Sequence, residues 1–157
     1  ITQQSAADFD EVIATNLKGV WLCAKYQIEE FLDQGEGGAI INTSSWLAHG
    51  ALAGSSIYSA SKGALDAMIR ALALEYGRQG IRINNICPGI IDTPMARSSG
   101  DVATYQPFVD HTPMKRMGQP EDIGDVAVWL ASDSARFITG QSILVDGGYT
   151  IGGLRWQ

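Results

Sequence analysis

The sequence predicts an α/β layered fold with parallel strands, and three observations carry that prediction. Amphipathic helical stretches alternate with short apolar runs in the order helix–strand–helix–strand–loop–helix–strand. The strand candidates are separated by enough chain for crossover connections, which parallel pairing needs and a hairpin does not. Breaker chemistry falls between the elements, at DQGEGG (33–38), at Pro88-Gly89 and at Asp146-Gly147-Gly148. The 157 residues, 45% of them hydrophobic, are expected to form one domain, 1–157, with no internal repeat or linker.

Taken in order, Ser5 followed three residues later by Asp8 marks a helix start. Phe9, Val12, Ile13, Leu17, Val20, Ala24, Ile28 and Phe31 then recur at steps of three and four, giving one apolar face. GAIINTSS reads as a short buried strand centred on 39–43, and the Gly-, Ala- and Ser-rich stretch 46–57 as a loop. A second helix runs from Tyr58 to Tyr76, with Leu65, Met68, Ile69 and Leu72 on one stripe and Gly77 and Gly80 ending it. IRINNICPG is the next strand, closed by Pro88, which cannot continue a central ladder. Residues 92–117, with Pro94, Pro107 and Pro113, suggest a mobile loop with short helical pieces. QPEDIGDVAVWLAS supplies a third helix with Pro120 in its first turn, and ITGQSILVDGG the last strand and turn.

Composition narrows the function classes. A net charge of −6 and a pI near 4.7 argue against nucleic acid and against an anionic membrane surface as partners. No apolar run approaches membrane-spanning length, so a cytoplasmic protein is expected. Cys23 and Cys87 are expected to be free thiols serving as small hydrophobes. His49 and His111 lack ligand spacing, so no metal site is expected, and His49 is expected to face solvent.

Ligands of open parallel sheets bind beyond the carboxyl ends of the strands. There the first strand delivers Ser44-Ser45, and the second Pro88-Gly89 followed by Thr93. Tyr58 and Lys62, at i and i+4, project from one face of the second helix near its start. A free phenol titrates near ~10, and a neighbouring ammonium favours its ionised form, moving it toward useful proton transfer. Ser45 is placed to hydrogen-bond the same reacting oxygen. Taken alone, a Tyr–Lys pair at this spacing equally describes two surface side chains with their polar ends in water.

The order of motifs resembles the short-chain dehydrogenase/reductase family across essentially the whole stretch from the first helix to VDGG. The Tyr-x-x-x-Lys signature stands as YSASK, with the serine thirteen residues upstream at Ser45, the asparagine in ATNLKGVW at Asn16, and the Pro-Gly turn in CPGIIDTPM. The resemblance implies a Rossmann-like doubly wound parallel sheet in three α/β/α layers, present in part, with the N-terminal strands missing. It implies NAD or NADP as cofactor and a small-molecule secondary alcohol or ketone as substrate. Tyr58 would be the acid/base, Lys62 would hold the nicotinamide ribose, Ser45 would orient substrate, and Asn16 would anchor a water that feeds protons to Lys62. Pro88, Gly89 and Ile91 would meet the nicotinamide carboxamide, with Thr93 beside it or near the phosphates; the plainer reading of Thr93 is a helix cap. Trp46 and Met95 would line the substrate side. Tyr105, Phe108 and Met114 would join Met95 in a lid over bound ligand.

The family's glycine-rich phosphate loop is absent from this stretch, so a partial record of a longer enzyme is expected. Homo-tetramers or dimers are implied, with the helices at 6–33 and 58–78 in contact and Trp156 able to pack on a neighbour. Two other readings are an epimerase or dehydratase using the same Tyr–Lys pair, and a truncated non-catalytic interaction subunit. Enoyl reductases of the wider superfamily place lysine further from tyrosine than YSASK does.

Overall fold

Three parallel strands carry the molecule, in the order β1 (Gly38–Thr43), β2 (Ile81–Pro88), β3 (Ser142–Val145). The structure, a computed structural model, describes residues 1–100 and 102–152; Trp156 lies outside them. Gly38 pairs with Ile81 and Thr43 with Ile86, while Asn85 pairs with Ser142 and Pro88 with Val145. All three strands therefore finish at one end of the sheet, and Pro88 closes β2 there as expected.

Strand alternation divides the core into two layers. Ile40, Ile81 and Ile83 meet Ile28 of α2 (Val20–Gln34) and Ile69 of α3 (Ser56–Tyr76) on one face. Ile41, Ile86, Ile143 and Val145 meet Leu130, Ile123 and Val126 of α6 (Pro120–Ala131) on the other. Helices thus cover both faces, the three-layer arrangement the resemblance implied. Among the described residues no helix is long and apolar enough to cross a membrane.

The first predicted helix is real but not uniform. Ser5 and Asp8 form a reciprocal capping box, and α1 (Ala6–Ile13) runs into a π-helical segment, Ala14–Gly19, before α2 continues to Gly35. Gly35, at φ 71°, takes the left-handed turn that ends α2. Two smaller differences concern the loop 46–57. Trp46–Ala48 form a single tight turn, and α3 begins two residues before Tyr58, because the Ser59 N–H already donates to Ser55 O. Residues 92–117 hold two short helices, α4 (Pro94–Ser99) and α5 (Val102–His111).

Candidate active site

The site forms where β1 and β2 end. Ser44 N–H donates to Ile86 O at 2.7 Å, extending the ladder one residue past β1. Ser45 then leaves the sheet in an extended conformation, and its Oγ accepts from Leu47 N–H at 3.1 Å to start the tight turn. That bond uses an Oγ lone pair and leaves the hydroxyl hydrogen to donate elsewhere.

Tyr58 sits in the first turn of α3 and Lys62 one turn later. Lys62 Nζ donates to Thr43 O at 2.8 Å and stands 5.7 Å from the centroid of the Tyr58 ring. The ammonium is thus tethered between the last carbonyl of β1 and the phenol. Burial holds the Lys62 pKa below the usual lysine range, with Cys87 opposing that shift.

Behind this pair, Asn16 lies in the π-helical segment. Its Nδ2 donates to Ser61 Oγ at 3.2 Å, and Ser61 Oγ donates to Tyr58 O at 2.7 Å. The widened helical turn therefore aims Asn16 at the turn of α3 that carries Tyr58, a recurrent use of π segments near functional sites.

The wall opposite is backbone. A Cβ on Gly89 would lie 2.7 Å from Asp146 Cα, so glycine is what lets the turn after β2 pass against the turn after β3. Ile91 forms a parallel bridge with Gly118, in which Gly118 N–H donates to Ile90 O and Asp92 N–H to Gly118 O. Alternation along the chain directs the N–H and C=O of Ile91 itself to the other side. A carboxamide needs one donor and one acceptor side by side, so this backbone fits a nicotinamide. Thr93 Oγ1 accepts from Ala96 N–H at 3.2 Å and caps α4, the plainer of its two expected roles, while its hydrogen is left to donate.

Ser45, Trp46, Tyr58, Pro88, Gly89, Ile91, Thr93 and Met95 line one cavity of about 600 Å³. Lys62 and Asn16 are not among its lining residues. Tyr105 and Phe108 reach the cavity from α5, whereas Met114, expected with them, lies beside Gly147, where its N–H donates to Gly147 O at 3.3 Å. Tyr149 ties the far wall together, its ring 4.8 Å from Trp46 and 6.0 Å from Phe108. Its turn is fixed by Asp146, whose carboxylate accepts from the N–H of Gly148 and from both the N–H and hydroxyl of Thr150. Burial pushes the Asp146 pKa up, but these donors outweigh it and hold the group below the usual carboxylate range.

Sequence reasoning missed the network beneath Ser45. Asp66 is buried, with Oδ1 accepting from Ser44 Oγ (3.1 Å) and Asn85 Nδ2 (2.8 Å). His49 is exposed, as expected, yet its Nε2 is turned inward, 3.0 Å from Asp66 Oδ2 and 3.6 Å from Cys87 Sγ. The donor atoms of His49, Asp66 and Cys87 fall within 4.8 Å of one another, a grouping that chain spacing did not reveal. Burial, reinforced by the Asp66 charge, pushes the Cys87 thiol up to about 11. The available signal was Asp66 itself, an acid set among Leu65, Met68 and Ile69.

A family model described as "Enoyl-(Acyl carrier protein) reductase", covering short-chain dehydrogenases and reductases, matches residues 1–150. The chain belongs to the short-chain dehydrogenase/reductase family. A glucose 1-dehydrogenase from Gluconobacter oxydans is 42% identical over 149 residues, 93% of this chain and 55% of the relative. An uncharacterized oxidoreductase from Bacillus subtilis is 40% identical over 147 residues, 89% of this chain and 53% of the relative. The chain therefore spans about half the length of these curated relatives. A solved 4-hydroxyisoleucine dehydrogenase, complexed with NADH and succinate, superposes with a TM-score of 0.89 at 32% identity, over 96% of this chain and 62% of that one. The family's Rossmann-like layering and the sheet described above agree.

Proposed function

We propose that this protein is an NAD- or NADP-dependent oxidoreductase that interconverts a secondary alcohol and a ketone. The observation that carries the reading is that Ser45 and Tyr58 line one cavity at the strand ends, with the Lys62 ammonium beside the Tyr58 ring. The relatives named glucose 1-dehydrogenase and 4-hydroxyisoleucine dehydrogenase, the latter with NADH, support the reaction type.

The nicotinamide cofactor, when bound, supplies the hydride chemistry at its C4. Everything else falls to the chain. Ile91 N–H and C=O hold the carboxamide, and Gly89 keeps the wall low enough for close approach. Ser45 Oγ donates to the substrate oxygen and fixes its distance from Tyr58 Oη. During oxidation Tyr58 Oη takes the hydroxyl proton, and during reduction it returns one to the forming alkoxide. Lys62, anchored by Thr43 O, offers its other N–H groups to the ribose hydroxyls and stabilises negative charge as it develops on Tyr58. Asn16 acts through Ser61, fixing the turn that bears Tyr58. The three residues between Tyr58 and Lys62 support this reading over enoyl reduction.

Self-association belongs to the same reading. Trp21 and Leu32, on one face of α2, are 48% and 43% exposed, an apolar surface suited to a second copy. Sedimentation of full-length protein reads this directly, and a monomer at all concentrations would reject it.

The reaction is tested by isotope transfer. Full-length protein is incubated with a secondary alcohol deuterated at the carbinol carbon and with NAD⁺ or NADP⁺. Deuterium is expected at C4 of the reduced nicotinamide; unlabelled product, or none across a broad alcohol panel, would reject the proposal.

A further inference from the structure

The cavity that holds Ser45 and Tyr58 has a chemical character that neither the family nor the reaction dictates. Among its described lining residues, none carries a formal charge. Beyond the reacting hydroxyls the surface is Trp46, Leu47 and Leu52 from the loop after β1, and Met95, Tyr105 and Phe108 from α4 and α5. Two of the polar side chains there are already engaged within the fold. Ser44 Oγ bonds Asp66 and Lys62 O, and the Tyr105 hydroxyl donates to Ala96 O at 2.8 Å. Lys62, beside the Tyr58 ring, is not among the lining residues, and one of its N–H groups is taken by Thr43 O.

The apolar wall is also built rather than incidental. Tyr149 packs against Trp46, Phe108 and His111, with ring centroids 4.8, 6.0 and 5.1 Å apart, and Phe108 continues to Tyr105 at 6.2 Å. These rings join the Ser45 loop, α5 and the turn after β3 into one face. Trp46 is 6% exposed and fixed in place, so it cannot swing aside to admit a polar group.

We infer that the substrate is an uncharged, compact and predominantly apolar secondary alcohol or its ketone, packed against Trp46, Met95 and Phe108. This rests on the oxidoreductase reading and deepens it. A carboxylate or phosphate packed on this aromatic face would be desolvated with no charged lining residue beside it, and a sugar's several hydroxyls would lose more water than the few hydroxyls in the lining can replace. An apolar ring gains by covering the aromatic face. The cavity volume, about 600 Å³, is within the range for small-molecule sites even when shared with a nicotinamide.

A six-membered-ring series tests this on full-length protein: cyclohexanol, 4-hydroxycyclohexanecarboxylate and glucose, each with both cofactors. Cyclohexanol is expected to exceed the other two in kcat/KM by about 100-fold or more. Phe108→Arg should shift the ratio toward the carboxylate by at least about tenfold, while Phe108→Leu should preserve it. In parallel, calorimetry of the cofactor-loaded protein with cyclohexanone and 4-oxocyclohexanecarboxylate reads the same order without turnover. Preference for glucose or the carboxylate, equal ketone affinities, or an unmoved ratio in Phe108→Arg would overturn the inference. Deuterium transfer from glucose would overturn it while leaving the oxidoreductase reading intact. Loss of transfer from every alcohol, with the ketone order as predicted, would count against that reading alone.

Discussion

Asp66→Ala probes the support beneath Ser45. The carboxylate accepts hydrogen bonds from Ser44 Oγ at 3.1 Å and Asn85 Nδ2 at 2.8 Å, and His49 Nε2 lies 3.0 Å from its other oxygen. Both donors are in fully enclosed positions, since Ser44 and Asn85 are 2% and 0% exposed. Each keeps one weaker alternative, Lys62 O for Ser44 and Ser142 Oγ for Asn85, both at 3.3 Å. The His49 side chain, 35% exposed, reaches water and loses least. Hydrogen bonds to a charged group contribute about 1.5–3 kcal/mol each, and removing one partner leaves buried donors unpaired. Two such losses, softened by the alternatives, give about 3–5 kcal/mol. Reversible urea unfolding of full-length protein should show that loss with an unchanged slope, and Asp66→Asn, which still accepts at Oδ1, should lose less. Activity should fall with stability, because Ser44 is covalently next to Ser45. A loss under about 1 kcal/mol would refute the claim that this carboxylate organises the strand ends.

Cys87 titration sets an alkaline limit. Its folded value, raised to about 11, lies above the ordinary thiol value, so the folded state keeps the proton longer than the unfolded chain. That contribution is complete below about pH 8.5 and is lost as pH rises toward 11. The stability difference between wild type and Cys87→Ala should therefore shrink across that window, and urea midpoints that stay parallel would contradict the assignment. Gly89→Ala places a Cβ 2.7 Å from Asp146 Cα, and the overpacking should cost about 1–3 kcal/mol and weaken nicotinamide binding in fluorescence titration. Unchanged cofactor affinity would show that the two turns can separate freely.

What could be read in the amino-acid order was periodic or local. The apolar stripes of α2, α3 and α6, the alternation of Ile40 and Ile41, and the glycine and proline stops are properties of neighbouring residues, and the layers follow from them. That Ser45, Tyr58, Gly89 and Thr93 line one cavity was legible because strand ends and a helical i, i+4 pair fix where they lie. The π segment was not, because Asn16 reaches Ser61 across 45 positions and no local pattern records that bond. The network of Asp66, Asn85 and His49 was hidden for the same reason: its partners come from a loop, a helix and a strand. His49 does reach solvent, as expected; what the sequence could not record is that Asp66, seventeen positions later, comes beneath its Nε2.

The most direct measurement is Tyr58→Phe in full-length protein, with cofactor affinity followed by nicotinamide fluorescence and turnover followed by absorbance. Removing one hydroxyl from the cavity wall should leave cofactor binding within about twofold while turnover falls by at least about 100-fold, the lower range for a lost acid/base group. Turnover that survives at near wild-type rate would contradict the account at its centre.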